Sequence, residues 1–285
     1  MAVRLQRIAG ADGVILQDED LGRELTADSF DPVAREAQGA VLGEAAGRGA
    51  VFFVSDGADQ WALRHYRRGG LVRHLVHDRY FWTGEESVRS FCEMRLLGEM
   101  HQRGLPVPRP VGARYVRGGL LYTADLITQR IREADPLAER VVDQSRRGSA
   151  PEAATHHAID WPEIGRTIRS FHDAGVYHAD LNAHNILLGR GPEQGNGGRE
   201  AGRPQGPPAN PMVWLIDFDR GSFRAGDGWK QGTLDRLARS LQKIGTGMGD
   251  QDGATTDSAG DSSGDRGGEG DPSGWPELMA GYRRD

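Results

Sequence analysis

Two apolar runs constrain this chain more than any other feature. The first, Ile186-Leu187-Leu188-Gly189, closes the stretch YHADLNAHNILLG (Tyr177–Gly189). The second lies in MVWLIDFDRG (Met212–Gly221) and ends in Asp217 and Asp219. Short continuous apolar runs bounded by polar turn residues read as buried strands. Between them stands GRGPEQGNGGREAGRPQGPPANP (Gly189–Pro211), which has almost nothing to bury and is expected to be disordered. The fold must bring the two strands together across an insert that contributes nothing itself. Polar residues then converge at the strand ends: His178, Asp180, Asn182, His184 and Asn185 from one, Asp217 and Asp219 from the other.

Two more stretches are expected to lack order. Residues 143–157, DQSRRGSAPEAATHH, form the weaker one. Residues 245–274 hold seven acids (Asp250, Asp252, Asp257, Asp261, Asp265, Glu269, Asp271) against the single base Arg266. That balance of −6 equals the formal charge of the whole chain, so the remainder is formally neutral. A solvated linker is the plain reading of this acidic segment; autoinhibition is the other. The rest, within 285 residues, is enough for one large or two-lobed domain with a real core. One cysteine, Cys92, rules out an internal disulfide, fits a reducing cytoplasm and excludes a multi-cysteine zinc site. No run of about 18 apolar residues occurs, so no spanning helix is expected. MAVRLQRIAGADG carries no apolar core suited to a signal peptide.

The order of elements follows from periodicity. GRGAVFFVSDGADQWALRHY reads as two strands joined at Ser55–Asp59. SVRSFCEMRLLGEMHQRG reads as a helix with Phe91, Met94, Leu97 and Met100 on one face and Gly104 as its stop. A strand pair follows around Arg117-Gly118-Gly119. WPEIGRTIRSFHDAG predicts a helix with Ile164, Ile168 and Phe171 inward, ended by Gly175. GTLDRLARSLQKI predicts another, striped by Leu234, Leu237, Leu241 and Ile244, and WPELMAGYRR a short one packing back.

The polar cluster admits three chemistries. As a zinc site it is poor: His178 and His184 lie six apart across a loop with no cysteine partner. His178 reads instead as a loop-orienting residue, and His184 as packed or near substrate. Asp180 and Asn185 could merely cap turns, but Asp217 would then stand unexplained at the end of an apolar strand. The third reading is phosphoryl transfer. There one carboxylate, Asp180, orients and accepts the proton of the attacking hydroxyl, while Asn185 and Asp217 supply hard oxygen ligands suited to Mg2+. Asp-x-x-x-x-Asn, then an apolar strand and Asp-Phe, is the protein-kinase catalytic arrangement. Asp219 would touch metal or support the loop. Such a site needs a strand cation on the ATP phosphates and a helix glutamate to hold it. Arg64 and Glu93 occupy those places, with arginine where lysine is usual. Gly47 and Gly49 resemble a shortened phosphate-covering loop.

Beyond these residues, the segments GRGAVFFV, LRHYRRGGLV, DRYFWTG, SFCEMRLL, GLPVPRPVGAR, YTADLIT, FHDAGVYHADLNAHNILL, WLIDFDRG and LDRLARSLQK resemble, in order, the Kdo kinases of the lipopolysaccharide kinase family. The likeness spans about Asp31 to Ile244 and is weakest over the first thirty residues. It implies ATP-dependent phosphorylation of the 4-hydroxyl of Kdo (3-deoxy-D-manno-octulosonic acid) on a Kdo–lipid A precursor. It also implies a peripheral enzyme on the cytoplasmic face of the inner membrane, and makes the strand arginine a family feature. The insert after Gly189 and the acidic segment depart from the family pattern. The implied fold is α+β and two-lobed, protein-kinase-like. Residues 1–127 form a small antiparallel-sheet lobe binding nucleotide, and residues 128–285 a reduced, mainly helical lobe with the catalytic loop and metal site.

Arg64, Arg67, Arg68, Arg73 and Arg79, interleaved with apolar and aromatic residues, suit a sugar carboxylate, lipid phosphates and an anionic membrane surface. A solvated face is the plainer reading. No matching basic field for nucleic acid exists. Two rival functions stand: an aminoglycoside-type small-molecule phosphotransferase, and a non-catalytic pseudokinase, against which the intact Asp180, Asn185 and Asp217 argue.

Overall fold

The computed structural model describes residues 3–11, 13–45, 51–67, 78–147, 159–189, 213–246 and 274–284. The fold is α+β, as expected. Its N-terminal part is one antiparallel eight-stranded sheet, with strands β1 (Leu5–Gly10), β2 (Gly13–Asp18), β3 (Val41–Ala45), β4 (Val51–Asp56), β5 (Asp59–His65), β6 (Tyr80–Phe81), β7 (Pro110–Gly118) and β8 (Leu121–Gln129). The main path runs β1-β2-β7-β8-β5-β4-β3, and β6 pairs with β8.

Strand alternation splits the sheet into two faces. On β5, Trp61 and Leu63 point one way; Arg64 lies opposite Leu126 of β8 and points the other. The inner face receives helix α2 (Arg89–Gln102), whose Phe91, Met94, Leu97 and Met100 are all buried. Burying each such side chain stabilises by roughly 1.5–3 kcal/mol. Gly104 follows at φ +74, a left-handed stop that a β-carbon would disfavour.

The outer face has its own smaller core of Ile15, Val54, Trp61, Leu63, Val111 and Ile127, closed by Leu25 and Phe30. Those two covering residues come from the segment that leads into helix α1 (Pro32–Ala37). Strands β1 to β3 and α1 have no counterpart in the sequence reading. The β1–β2 hairpin adds two strands beside β7, and Gly13 (φ +115) is required there because a β-carbon would sit 2.3 Å from the Tyr115 carbonyl.

The C-terminal part comprises α3 (Leu137–Arg147), α4 (Trp161–Asp173), α5 (Lys230–Gly245) and α6 (Trp275–Arg283). Between them lie two small sheets: β9 (Ala134–Pro136), β11 (Ile186–Gly189) and β12 (Val213–Leu215) in the order β12-β11-β9, and β10 (Val176–Tyr177) paired with β13 (Ser222–Phe223). Asp160 caps α4 by accepting the Glu163 N–H at 2.9 Å. Helix α6 packs directly on α4. A β-carbon on Gly165 would lie 2.0 Å from the Leu278 carbonyl, and one on Gly281 would lie 2.1 Å from that of Pro162.

One expectation needs correction. Residues 143–147 are not irregular: α3 continues through them, anchored by buried Leu137, Ala138 and Val141. Its polar last turns keep their backbone bonds, and Ser145 donates to the Val141 carbonyl at 3.0 Å. Composition alone misses this, because a helix anchored at one end extends into polar sequence. Gly189, Gly245 and Gly274 likewise belong to or border ordered elements. The remainders of the three polar stretches, and Gly47 and Gly49, lie outside the described residues.

Candidate active site

Strands β11 and β12 are antiparallel neighbours, with Ile186 opposite Leu215 and Leu188 opposite Val213. This pairing joins the two halves of the motif. Past the end of β12, the Ile216 N–H donates to the Asn185 carbonyl at 3.0 Å.

His178 fastens the loop to the strand end. Its Nε2 lies 3.0 Å from the Ile216 carbonyl, and its Nδ1 accepts the Asp180 N–H at 3.2 Å. A carbonyl can only accept, so Nε2 carries the proton and the ring is neutral. Burial lowers the pKa of His178 from its ordinary value, with the Ile216 bond opposing, which favours the same neutral form. The ring also packs against Phe218, with centroids 4.6 Å apart. His178 thus orients the loop, as its position in the sequence suggests. His184 is exposed. Among the described residues, no three His, Cys, Asp or Glu side chains converge as a metal site.

Asp180 presents its carboxylate to solvent, with 58% of the side chain exposed, and pairs with Arg236 of α5 at 3.1 Å. Its backbone carbonyl accepts from the Asn185 Nδ2 at 2.9 Å and the Asn182 Nδ2 at 3.1 Å. Asn182 in turn accepts the His184 N–H, and Ser240 of α5 accepts the Ala183 N–H at 3.2 Å. Helix α5 therefore holds the loop at two points one turn apart. With its amide nitrogen donating to Asp180, Asn185 keeps Oδ1 as a lone-pair atom able to ligate a metal.

Arg64 bridges helix α2 and the chain just past β12. One arm of its guanidinium bonds Glu93 of α2 and the other bonds Asp217. Glu93 is 3% exposed and also accepts from the Tyr66 hydroxyl and, through Oε1, from the Phe218 N–H at 3.1 Å. Burial raises the Glu93 pKa and the Arg64 charge opposes this. For Arg64, burial opposes charge, but Glu93, Tyr66 and Asp217 outweigh it and keep the guanidinium protonated. For Asp217, burial pushes the carboxyl up, and Arg64 outweighs it, so the pKa is lowered and the group stays ionised. Asp217 sits at φ +62, a left-handed conformation uncommon outside glycine. Its partner Arg64 faces inward, so it does not belong to the surface arginine patch. Arg79 is exposed, whereas Arg68 and Arg73 lie outside the described residues.

The five expected site residues thus gather in two connected groups. Arg64, Glu93 and Asp217 form one, Asp180 and Asn185 the other, with His178 between. Tyr66, Arg89, Arg236 and Ser240 were not singled out from sequence. Only Arg89, one helical turn before Glu93, carried a local signal.

A sheet with an inward arginine–glutamate pair, above a loop delivering Asp and Asn beside a strand delivering a second Asp, defines an ATP-dependent kinase. The chain belongs to the lipopolysaccharide kinase (Kdo/WaaP) family, whose sequence model matches residues 34–255. Among curated relatives, a 3-deoxy-D-manno-octulosonic acid kinase of Stenotrophomonas maltophilia (strain R551-3) is 40% identical over 233 residues, covering 81% of each chain. The enzyme of that name from Vibrio cholerae is 38% identical over 239 residues, covering 84% of this chain and 89% of its own. That of Xylella fastidiosa (strain M23) is 40% identical over 234 residues, covering 82% of each. A solved chain described as WaaP in complex with acyl carrier protein is 16% identical, with a TM-score of 0.43, covering 75% of this chain and 76% of that one.

Proposed function

We propose that this kinase phosphorylates the 4-hydroxyl of a Kdo sugar carried on a lipid A precursor, using ATP and Mg2+, in lipopolysaccharide biosynthesis. The observation that carries the reading is the His178 ring, which bonds the loop of Asp180 and the strand end of Asp217 at once. That ring links the loop carrying Asp180 and Asn185 to the strand end carrying Asp217, which Arg64 bonds.

Asp180 accepts the proton of the attacking sugar hydroxyl and aims it at the γ-phosphorus. Its exposure leaves room for an acceptor. Arg64, kept cationic and fixed by Glu93, turns toward the phosphates and contributes charge where negative charge builds. The donor set fits Mg2+: Asn185 would hold it through an amide oxygen and Asp217 through an ionised carboxylate. Bound there, the ion would supply neutralisation of phosphate charge. The acceptor is lipid-linked, so the enzyme works at a membrane surface. Exposed Arg79 suits an anionic leaflet there. Peripheral attachment at the cytoplasmic face of the inner membrane agrees with a chain that, among the described residues, has no helix long and apolar enough to span.

The test is direct. Purified protein incubated with ATP, Mg2+ and Kdo–lipid A acceptor should add one phosphate by mass spectrometry. Asp180→Asn should abolish that transfer while nucleotide binding, measured by calorimetry, stays near wild type. Transfer to an aminoglycoside but not to the Kdo acceptor, or full turnover by Asp180→Asn, would overturn the reading.

A further inference from the structure

We propose that Arg89 and Asp219 form a positioning clamp that sets how tightly the nucleotide site holds magnesium. The proposal rests on the reading of Asp217 as a metal ligand.

Asp219 lies two residues beyond Asp217, close enough in sequence to be read as a second carboxylate on the metal. Its oxygens are engaged elsewhere. Oδ1 accepts from the Arg89 Nε at 2.8 Å, and Oδ2 accepts from Nη2 of the same guanidinium. This two-pronged geometry is the strong form of an arginine–carboxylate pair. The guanidinium also lies over buried Tyr80, 4.8 Å from the ring centroid. Asp219 is three-quarters buried, so the pair is shielded from solvent more than a surface bridge would be.

Arg89 opens α2, and Glu93 follows one turn later on the same face. Glu93 accepts the Phe218 N–H while Arg89 takes the Asp219 side chain. One helix thus grips the chain on consecutive residues immediately after Asp217. That grip matters because the chain reverses sharply there. Asp217 and Arg220 both have φ +62, and a β-carbon on Gly221 would stand 2.8 Å from the Phe218 carbonyl. Left-handed residues persist only where their surroundings hold them. Releasing Asp219 frees the reversal and lets the Asp217 carboxylate lose its direction toward the cleft. Asp219 acts through Asp217 and does not touch the metal itself.

The experiment uses the full chain and a non-hydrolysable ATP analogue, with calorimetry in the presence and absence of Mg2+ and no sugar acceptor. The variants are Asp219→Asn, Arg89→Met, the double substitution, and Arg89→Lys, each checked for a cooperative thermal transition. Metal-free analogue binding should stay within about twofold of wild type. The tightening produced by Mg2+ should fall about tenfold in either single variant, the usual scale for a residue supporting a metal ligand. The double variant should lose no more than either single one, since one contact is removed in each case. Arg89→Lys, which keeps the charge without the fork, should recover part of the loss. Unchanged Mg2+ coupling, or additive losses, would overturn the clamp. So would loss on Asp219→Asn with full coupling in Arg89→Met, which would make Asp219 a ligand. An Asp217→Asn control separates the two ideas: if it keeps full Mg2+ coupling, the metal reading of Asp217 has failed first. The acceptor's identity does not enter.

Discussion

Acid should destabilise this protein through His172. The residue lies on α4 and is 3% exposed. Its Nδ1 is 2.7 Å from the Tyr282 hydroxyl of α6, and its Nε2 is 3.0 Å from Thr233 Oγ1 of α5. Thr233 donates its own proton to the Lys230 carbonyl at 2.7 Å, so Nε2 carries the hydrogen and Nδ1 accepts from Tyr282. One neutral imidazole therefore ties three helices, with Trp229 edge-on at 5.1 Å. Burial first, then the Lys230 charge, lowers its pKa from 6.5 to about 4; Asp173 opposes and Arg169 assists. The unfolded chain takes up the proton near pH 6.5, whereas the native state refuses it until about 4. Stability from this residue is complete above about pH 6.5 and is lost as pH falls toward 4. The full difference, about 2.5 in pKa, corresponds to ~3 kcal/mol, of which about 2 kcal/mol should disappear between about pH 7 and pH 5. Urea unfolding followed by tryptophan fluorescence across that range measures it. His172→Gln keeps a donor and an acceptor but cannot titrate, so its stability should fall less with acid by that amount. Parallel pH profiles for the two proteins would refute the reasoning.

Three further outcomes are expected. Glu93→Gln loosens the hold on Arg64 and should lower kcat about 100-fold in steady-state assays while leaving the acceptor KM little changed; an unaffected kcat would contradict the role given to the pair. Gly281→Ala forces a β-carbon against the Pro162 carbonyl and should cost about 1–3 kcal/mol by denaturant unfolding; unchanged stability would show that α4 and α6 are not in such close contact. His178→Leu leaves the Ile216 carbonyl and Asp180 N–H without their partner, at about 1–3 kcal/mol for each buried group. Transfer should drop with it, read as kcat against an unchanged ATP KM.

Much of this molecule is legible in its sequence because the signals are local. The inward face of α2 is set by the spacing of Phe91, Met94, Leu97 and Met100, and its end by Gly104. Helices α4 and α5 follow the same rule through Ile164, Ile168 and Phe171, and through Leu234, Leu237 and Leu241. Residues 5–45 were not legible in this way. Strand β1 is largely exposed, α1 has six residues, and Leu25 and Phe30 acquire their role only by covering Trp61 and Leu63 from elsewhere in the chain.

The motif residues Asp180, Asn185 and Asp217 stand at recognisable positions relative to apolar runs, and those runs determine the strands that carry them. Their connections do not follow from spacing. Arg64 reaches Asp217 across 153 residues, Arg89 reaches Asp219 across 130, and Arg236 reaches Asp180 across 56. In the sequence, Arg64 reads equally well as part of a surface patch with Arg67 and Arg79; strand parity in the folded sheet turns it inward instead. Periodicity and turn chemistry are properties of neighbours along the chain, so the sequence determined which elements form and which residues could do chemistry. Which charge meets which carboxylate depends on helices and strands packed from distant segments, and only the tertiary structure decided that.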